Sequence, residues 1–206
     1  MSAEGSKTES PIDSNVPNVG IRPMYEMFKS NKWEFETDIE LVEPAVQALR
    51  EKIALVGWEG DDLKNAAEGF KELLLNAIGH GSLQVDKSIV AQGNIYEAIR
   101  LAQGDYPERK KRKIKVIFNE ISAGTLSFTI INEGEGFDPN AVPDPTLPDP
   151  TLPENASKPR GWGLLYVRVL HGFEPLKYGN NGREVTAVKR RTTSISIKIL
   201  PASKLR

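Results

Sequence analysis

Cysteine is absent from this 206-residue chain, which excludes a disulfide framework, a thiolate metal site and a cysteine nucleophile. Histidine is nearly absent: only His80 and His171 occur, too few for a zinc centre built on imidazoles. No apolar run approaches the roughly 18–20 residues that cross a bilayer, so no membrane partner is expected. An excess of one charge is missing too. Lys plus Arg number 27 against 28 Asp plus Glu, a balance that gives no global field for nucleic acid. The first twenty residues are polar and lack the apolar segment of a secretory signal; a cytoplasmic location is expected. Neither a Gly-x-x-x-x-Gly-Lys-Ser/Thr phosphate loop nor a Gly-x-Ser-x-Gly nucleophile elbow is present, which sets aside both enzyme classes.

What is there suits one domain with extensions. Hydrophobic residues make up 39%, enough for a single core. Residues 1–22, rich in Ser, Glu, Asn, Pro and Gly, read as a disordered tail, which leaves 23–206 as the folded domain. Residues 32–38 alternate aromatic and polar, the pattern of a half-buried strand. Val42, Val46, Leu49, Ile53 and Val56 predict a first helix over 41–56, with Glu43 and Pro44 in its opening turn. A second helix runs from Asp61 to His80. Leu63, Ala66, Ala67, Phe70, Leu74, Ala77 and Ile78 share its face, Asp61 or Asp62 serves as N-cap, and Gly79 and Gly81 are stop signals. Residues 82–105 read as a helical connection interrupted at Gly93.

The five cations from Arg109 to Lys113 read as a solvated strand entrance rather than a phosphate-backbone patch. Strands over 114–120 and 125–131 form a hairpin about Ser122–Gly124. Residues 139–160 are proline-rich and carry Pro-Asp-Pro-Thr-Leu twice; a loop of that length is usually a functional lid or a disordered segment. A helix opens at Gly161-Trp-Gly163 and runs to Leu170. A second hairpin follows over 177–189, turning at Gly179–Gly182, and then a last strand over 194–200.

The 61–80 helix has an unusual second half. Leu73 and Leu75 flank its apolar stripe, so its last two turns are apolar almost all round, as in an enclosed helix. Glu72 and Asn76 are the exceptions, four residues apart and therefore neighbours. Two readings are open. They lie on an ordinary solvent strip, or they are enclosed and need partners, because an unpaired buried polar group costs about 1–3 kcal/mol. A metal and a ligand would supply those partners. Asn76 offers a hard oxygen to Mg2+, and Glu72 beside it is placed to polarise a hydroxyl.

The glycine pairs add to this. Gly134-Glu-Gly136 follows a strand but lacks the third glycine and the helix of a dinucleotide fingerprint. Such glycines let backbone approach a flat base or a phosphate. The helix start at Gly161–Leu164 presents free N–H groups to anionic oxygens. Together these features read as a site for a nucleotide and its magnesium. His80 and His171 read as helix-end residues, and Trp33 and Trp58 as core or interface anchors.

Leu73-Leu-Leu-Asn-Ala-Ile-x-His-Gly81, Asn132-Glu-Gly-Glu-Gly-Phe-Asp-Pro139 and Pro148-Asp-Pro-Thr-x-Pro-Glu-Asn155 carry a resemblance. So do Gly161-x-Gly-Leu164 and Gly182-x-Glu-Val-Thr-x-Val-Lys-Arg190. In these motifs the chain resembles the GHKL ATPase superfamily over about residues 30–190, and within it the bacterial anti-sigma-factor serine/threonine kinases. The resemblance implies a Bergerat fold: an α/β (α+β) two-layer sandwich with a mixed or antiparallel sheet, helices on one face and a long ATP lid at 139–160. It implies ATP and Mg2+ as cofactors. Glu72 would be the general base toward a substrate serine and Asn76 the Mg2+ ligand. Asn132, Gly134 and Gly136 would line the adenine side, with Thr186 near the adenine from its strand. Arg160, Gly161, Gly163 and Leu164 would lie at the phosphates. The implied partners are a sigma factor and a small STAS-type anti-anti-sigma protein, and dimerisation is common in that branch.

Three departures from the pattern stand out. Asn132 occupies a position where the family usually has aspartate; it keeps an acceptor oxygen but loses charge assistance, a difference of about 1 kcal/mol. Trp162 stands where an arginine is usual, with Arg160 displaced ahead of Gly161, and tryptophan offers no cation to phosphate. The lid carries an extra Pro-Asp-Pro-Thr-Leu unit, which stiffens it. The expected function is an anti-sigma serine/threonine kinase. The alternatives are a degenerate domain that binds a protein partner without kinase activity, and an ATPase whose lid drives a conformational switch.

Overall fold

A computed structural model describes residues 26–85, 94–139 and 162–192. Alternation of large apolar with polar residues builds the strands. In β1 (Lys32–Glu36) only Trp33 and Phe35 are buried. Strand β2 (Lys113–Ile121) buries Ile114, Val116 and Phe118, and β3 (Thr125–Asn132) buries Leu126, Phe128, Ile130 and Asn132 on the same parity. With β4 (Lys177–Gly179) and β5 (Glu184–Arg190), the strands among the described residues form an antiparallel sheet in the order β1-β2-β3-β5-β4. The register puts Trp33 opposite Val116, Phe118 opposite Phe128, and Phe128 opposite Ala187. One face of the sheet is therefore apolar, since side chains two apart in a strand share a face.

That face is covered by helices. Helix α1 (Val42–Ala54) and α2 (Gly60–Asn76) pack side by side. Phe70 of α2 meets the ring of Phe128 edge-on at 5.1 Å and that of Trp33 at 6.1 Å, joining helix layer to sheet at the centre of the core. Helix α3 (Ile95–Asp105) is N-capped by the Asn94 side chain and closes on the end of α2. The single turn α4 (Pro107–Lys110) leads into β2, and α5 (Trp162–Val169) packs on α2. The expected two-layer α+β architecture is what the chain adopts.

Two details differ from the sequence reading. The N-cap of α2 is Glu59, because the Asp62 carboxylate instead accepts the backbone N–H and hydroxyl of Thr192, each at 3.1 Å. The helix does not stop at Gly79 or Gly81 but continues as a π-helix over Ala77–Leu83. Trp33 and Trp58 are core residues, their indole N–H groups donating to the Ser30 and Ser122 carbonyls at 2.8 Å. The expected tail at 1–22, most of the lid, Gly93 and the strand at 194–200 lie outside the described residues.

Phe70→Ala removes the ring that joins the two layers. It is expected to destabilise the fold by about 3–5 kcal/mol, read as a lowered midpoint in urea unfolding with unchanged slope.

Candidate functional site

The change of helix register comes at Asn76. Up to that residue α2 is α-helical; from Ala77 to Leu83 it is a π turn, a feature that recurs at functional sites. Glu72 and Asn76 lie just before the switch, and both are half-buried. The first of the two open readings, a plain solvent strip, does not describe them. Asn76 Nδ2 is enclosed and has no hydrogen-bond partner among the described residues. The Glu72 carboxylate likewise has no hydrogen bond or ion pair there. Burial pushes its pKa above the ordinary glutamate range; the Lys71 charge pulls the other way and Glu68 adds to the rise. Lys71 itself is spent on Glu43 at 2.5 Å and on the face of the Tyr96 ring at 5.4 Å, so it leaves Glu72 unpaired.

The π turn brings this helix against the first glycine box. A Cβ on Gly134 would lie 1.9 Å from the Gly81 carbonyl oxygen, and one on Gly81 would lie 2.6 Å from Asn132 Cγ. Only glycine at both positions permits that approach. Asn132 is buried, and both ends of its amide are engaged: Oδ1 accepts from the Gly134 N–H at 3.0 Å and Nδ2 donates to the Arg183 carbonyl at 3.1 Å. Gly136 has a left-handed backbone (φ +83°), and a Cβ there would sit 2.1 Å from the Asn181 carbonyl oxygen. It therefore fits against the β4–β5 turn, where the Phe137 N–H donates to that same oxygen at 2.9 Å.

The other expected site residues divide. Gly163 and Leu164 lie in the first turn of α5, with Leu164 packed on the core. Arg160 and Gly161 lie outside the described residues. Thr186 is not brought to Asn132. It pairs across the sheet with Thr129, hydroxyl to hydroxyl at 2.9 Å, and Asn119 also donates to Thr129 at 3.0 Å. Thr129 is of opposite parity to Asn132 along β3, so Thr186 sits on the sheet face away from the helices. Gly81, by contrast, belongs to the site, and the sequence reading had taken it for a stop signal. The expected solvated entrance at 109–113 is also revised: Arg109 and Arg112 turn inward onto the carbonyls of Leu83 and Ser82.

Residues 35–189, from β1 to the end of β5, match the family model of the histidine kinase-like ATPase domain. The chain belongs to the histidine kinase-like ATPase family. No curated protein matches it. Membership makes this an ATP-binding domain of the GHKL type, with the sheet and helix layers described above. Among the described residues no helix is long and apolar enough to cross a membrane, and no group of three or more His, Cys, Asp or Glu could by itself hold a metal ion.

The residues present nevertheless fit a nucleotide with Mg2+. An ATPase domain of this family needs few protein ligands, because Mg2+ keeps several waters and takes oxygens from phosphate. A single amide oxygen from Asn76 suits that role, and its enclosed Nδ2, a donor with no partner among the described residues, can meet an anionic oxygen of the nucleotide. The Gly81–Gly134 contact beside it is closed by protein atoms and sets the wall next to Asn76.

Because folding raises the Glu72 pKa, the native state binds its proton to higher pH than the unfolded chain does. Stability from this group is thus present at low pH and lost as pH rises from the unfolded value through the raised folded one. Glu72→Gln should abolish that slope and raise Tm at pH 7 by about 1–3 °C, measured by thermal unfolding across pH 4–8 (about the window in which carboxylates titrate).

Proposed function

We propose that this histidine kinase-like ATPase domain is an ATP- and Mg2+-dependent serine/threonine protein kinase. In this reading it acts as an anti-sigma factor, and it phosphorylates a serine on a STAS-type anti-anti-sigma antagonist in partner-switching control of transcription. The observation that carries the reading is the Glu72 carboxylate: half-buried, unpaired, raised in pKa, and one helical turn from Asn76. A carboxylate held for structure would have a cation or donor against it. An unpaired one with raised pKa is a better proton acceptor near neutrality.

Glu72 then accepts the proton of the substrate serine as that oxygen attacks the γ-phosphorus and the bond to the ADP leaving oxygen breaks. Phosphoryl transfer asks the protein mainly for positioning and charge neutralisation. Asn76 would hold Mg2+, which would supply charge neutralisation at the phosphates. Gly81, Gly134 and Asn132 shape the wall beside it, and the N-terminus of α5, with Gly163 and Leu164, would offer its first N–H groups to anionic oxygens.

One observation favours a second reading, a protein-binding module without kinase activity. Both ends of the Asn132 amide are engaged by backbone, which leaves that residue less to offer a base. Glu72→Ala separates the two. The kinase reading expects phosphotransfer to an antagonist protein to fall by about 10^2-fold or more, with ATP affinity within about threefold of wild type. The wild-type rate should also fall as pH drops through the raised Glu72 pKa, since only the carboxylate accepts a proton. Phosphotransfer that survives Glu72→Ala would refute the base assignment, and partner capture unaffected by nucleotide or by this change would favour the binding module.

A further inference from the structure

We propose that Arg109 and Arg112 are positioning residues for the nucleotide site and act on it through the π turn; this rests on the nucleotide-binding reading above. The five-cation block divides by residue type. Lys110 pairs with Asp38 at 2.8 Å and Lys113 with Glu36 at 3.3 Å, while Lys111 is exposed. The two arginines turn inward. Arg112 Nη1 donates to the Ser82 carbonyl at 2.5 Å, and Arg109 Nη1 donates to the Leu83 carbonyl at 2.8 Å. These are the last two carbonyls of the π turn. A helix end leaves such carbonyls without intrahelical partners and carries partial negative charge, so a guanidinium answers both needs.

The arginines are themselves held in place. The Thr37 N–H and hydroxyl both donate to the Arg112 carbonyl, at 2.9 and 2.8 Å. The Arg109 guanidinium lies over the Tyr106 ring, 4.3 Å from its centre, in a cation–π contact that holds it in place. The Ser82 hydroxyl is buried with no hydrogen-bond partner among the described residues, so this residue is anchored through its carbonyl.

Gly81 directly precedes Ser82, and its carbonyl oxygen is the atom seated against Gly134. A π turn is a rare departure from the α-helix, and glycine at 79 and 81 gives this one additional backbone freedom in the absence of fixed partners. Without the guanidiniums the Ser82 and Leu83 carbonyls lose their partners and the turn is free to shift register. The Gly81–Gly134 seat, and with it the wall beside Asn76, then moves. The arginines fix the site from behind without touching what it binds.

The test is calorimetric ATP titration with Mg2+, alongside thermal unfolding, on the full chain and its variants. Arg112→Ala is expected to weaken ATP binding about tenfold well below its Tm. Arg112→Lys, which keeps a charged donor, should return affinity to within about threefold of wild type, and Lys111→Ala should change nothing. Arg112→Ala combined with Gly134→Ala should weaken binding less than the product of the two separate effects, because both act on one contact. If Arg112→Ala does not fold, Arg109→Ala, which leaves the other guanidinium in place, carries the same comparison. Arginine variants that lower Tm while ATP affinity stays within about twofold would overturn the proposal and leave the nucleotide reading standing. A wild-type chain that binds no ATP would overturn both.

Discussion

The contact between the Gly81 carbonyl and Gly134 sets the geometry of everything around it. A Cβ on Gly134 would collide with the Gly81 backbone, and one on Gly81 with the Asn132 amide, so neither position tolerates a side chain. The approach requires the end of α2 to widen into a π turn, and that widening follows directly on Asn76. It also folds Asn132 beneath Gly81, where the asparagine amide bridges Gly134 and Arg183. A helix in the core, a loop after the central strand and the β4–β5 hairpin are thereby tied to one another. The large ring contacts of Phe70 supply much of the burial that holds the layers together, but they do not choose the position of the site. The glycines do.

Electrostatics on α2 follow a division of labour between adjacent residues. Lys71 faces α1 and α3, where Glu43 and the Tyr96 ring hold it, and these partners raise its pKa against the opposing effect of burial. Glu72, one position on, points to another face and finds no partner among the described residues. Had Lys71 turned toward Glu72, the two would form an ordinary ion pair with a depressed carboxylate pKa. The Glu43–Tyr96 pair prevents this, and so the unpaired carboxylate depends on residues that never face the site.

Much of the fold was legible in the sequence because its signals are periodic. The alternation in β1 to β3 and the 3.6-residue stripe of α2 each state which side is buried, and the glycine boxes, Glu72 and Asn76 pointed to the site. What was not legible depends on distant partners. Gly79 and Gly81 look like helix stops because glycine ends helices cheaply, yet here the missing side chains admit Ile95 and Ile99 at Gly79 and Asn132 at Gly81. Asp62 looks like an N-cap, but Thr192, far along the chain, takes its carboxylate. Thr186 came from the family resemblance, and the pairing of β5 with β3, which sets it opposite Thr129, decides its face. Arg109 and Arg112 were hidden in a block of cations, since nothing local distinguishes a guanidinium bound for a helix end from one bound for water.

The most direct test of the account is calorimetric titration of the protein with ATP, with and without Mg2+, repeated on Asn76→Ala. The account predicts binding that is strengthened by Mg2+ and a Mg2+-dependent increment that disappears in Asn76→Ala, a loss of about tenfold or more in affinity. A magnesium effect of equal size in the variant would contradict the assignment of the metal to the α2–π junction, and no ATP binding at millimolar concentration would contradict a working nucleotide site altogether.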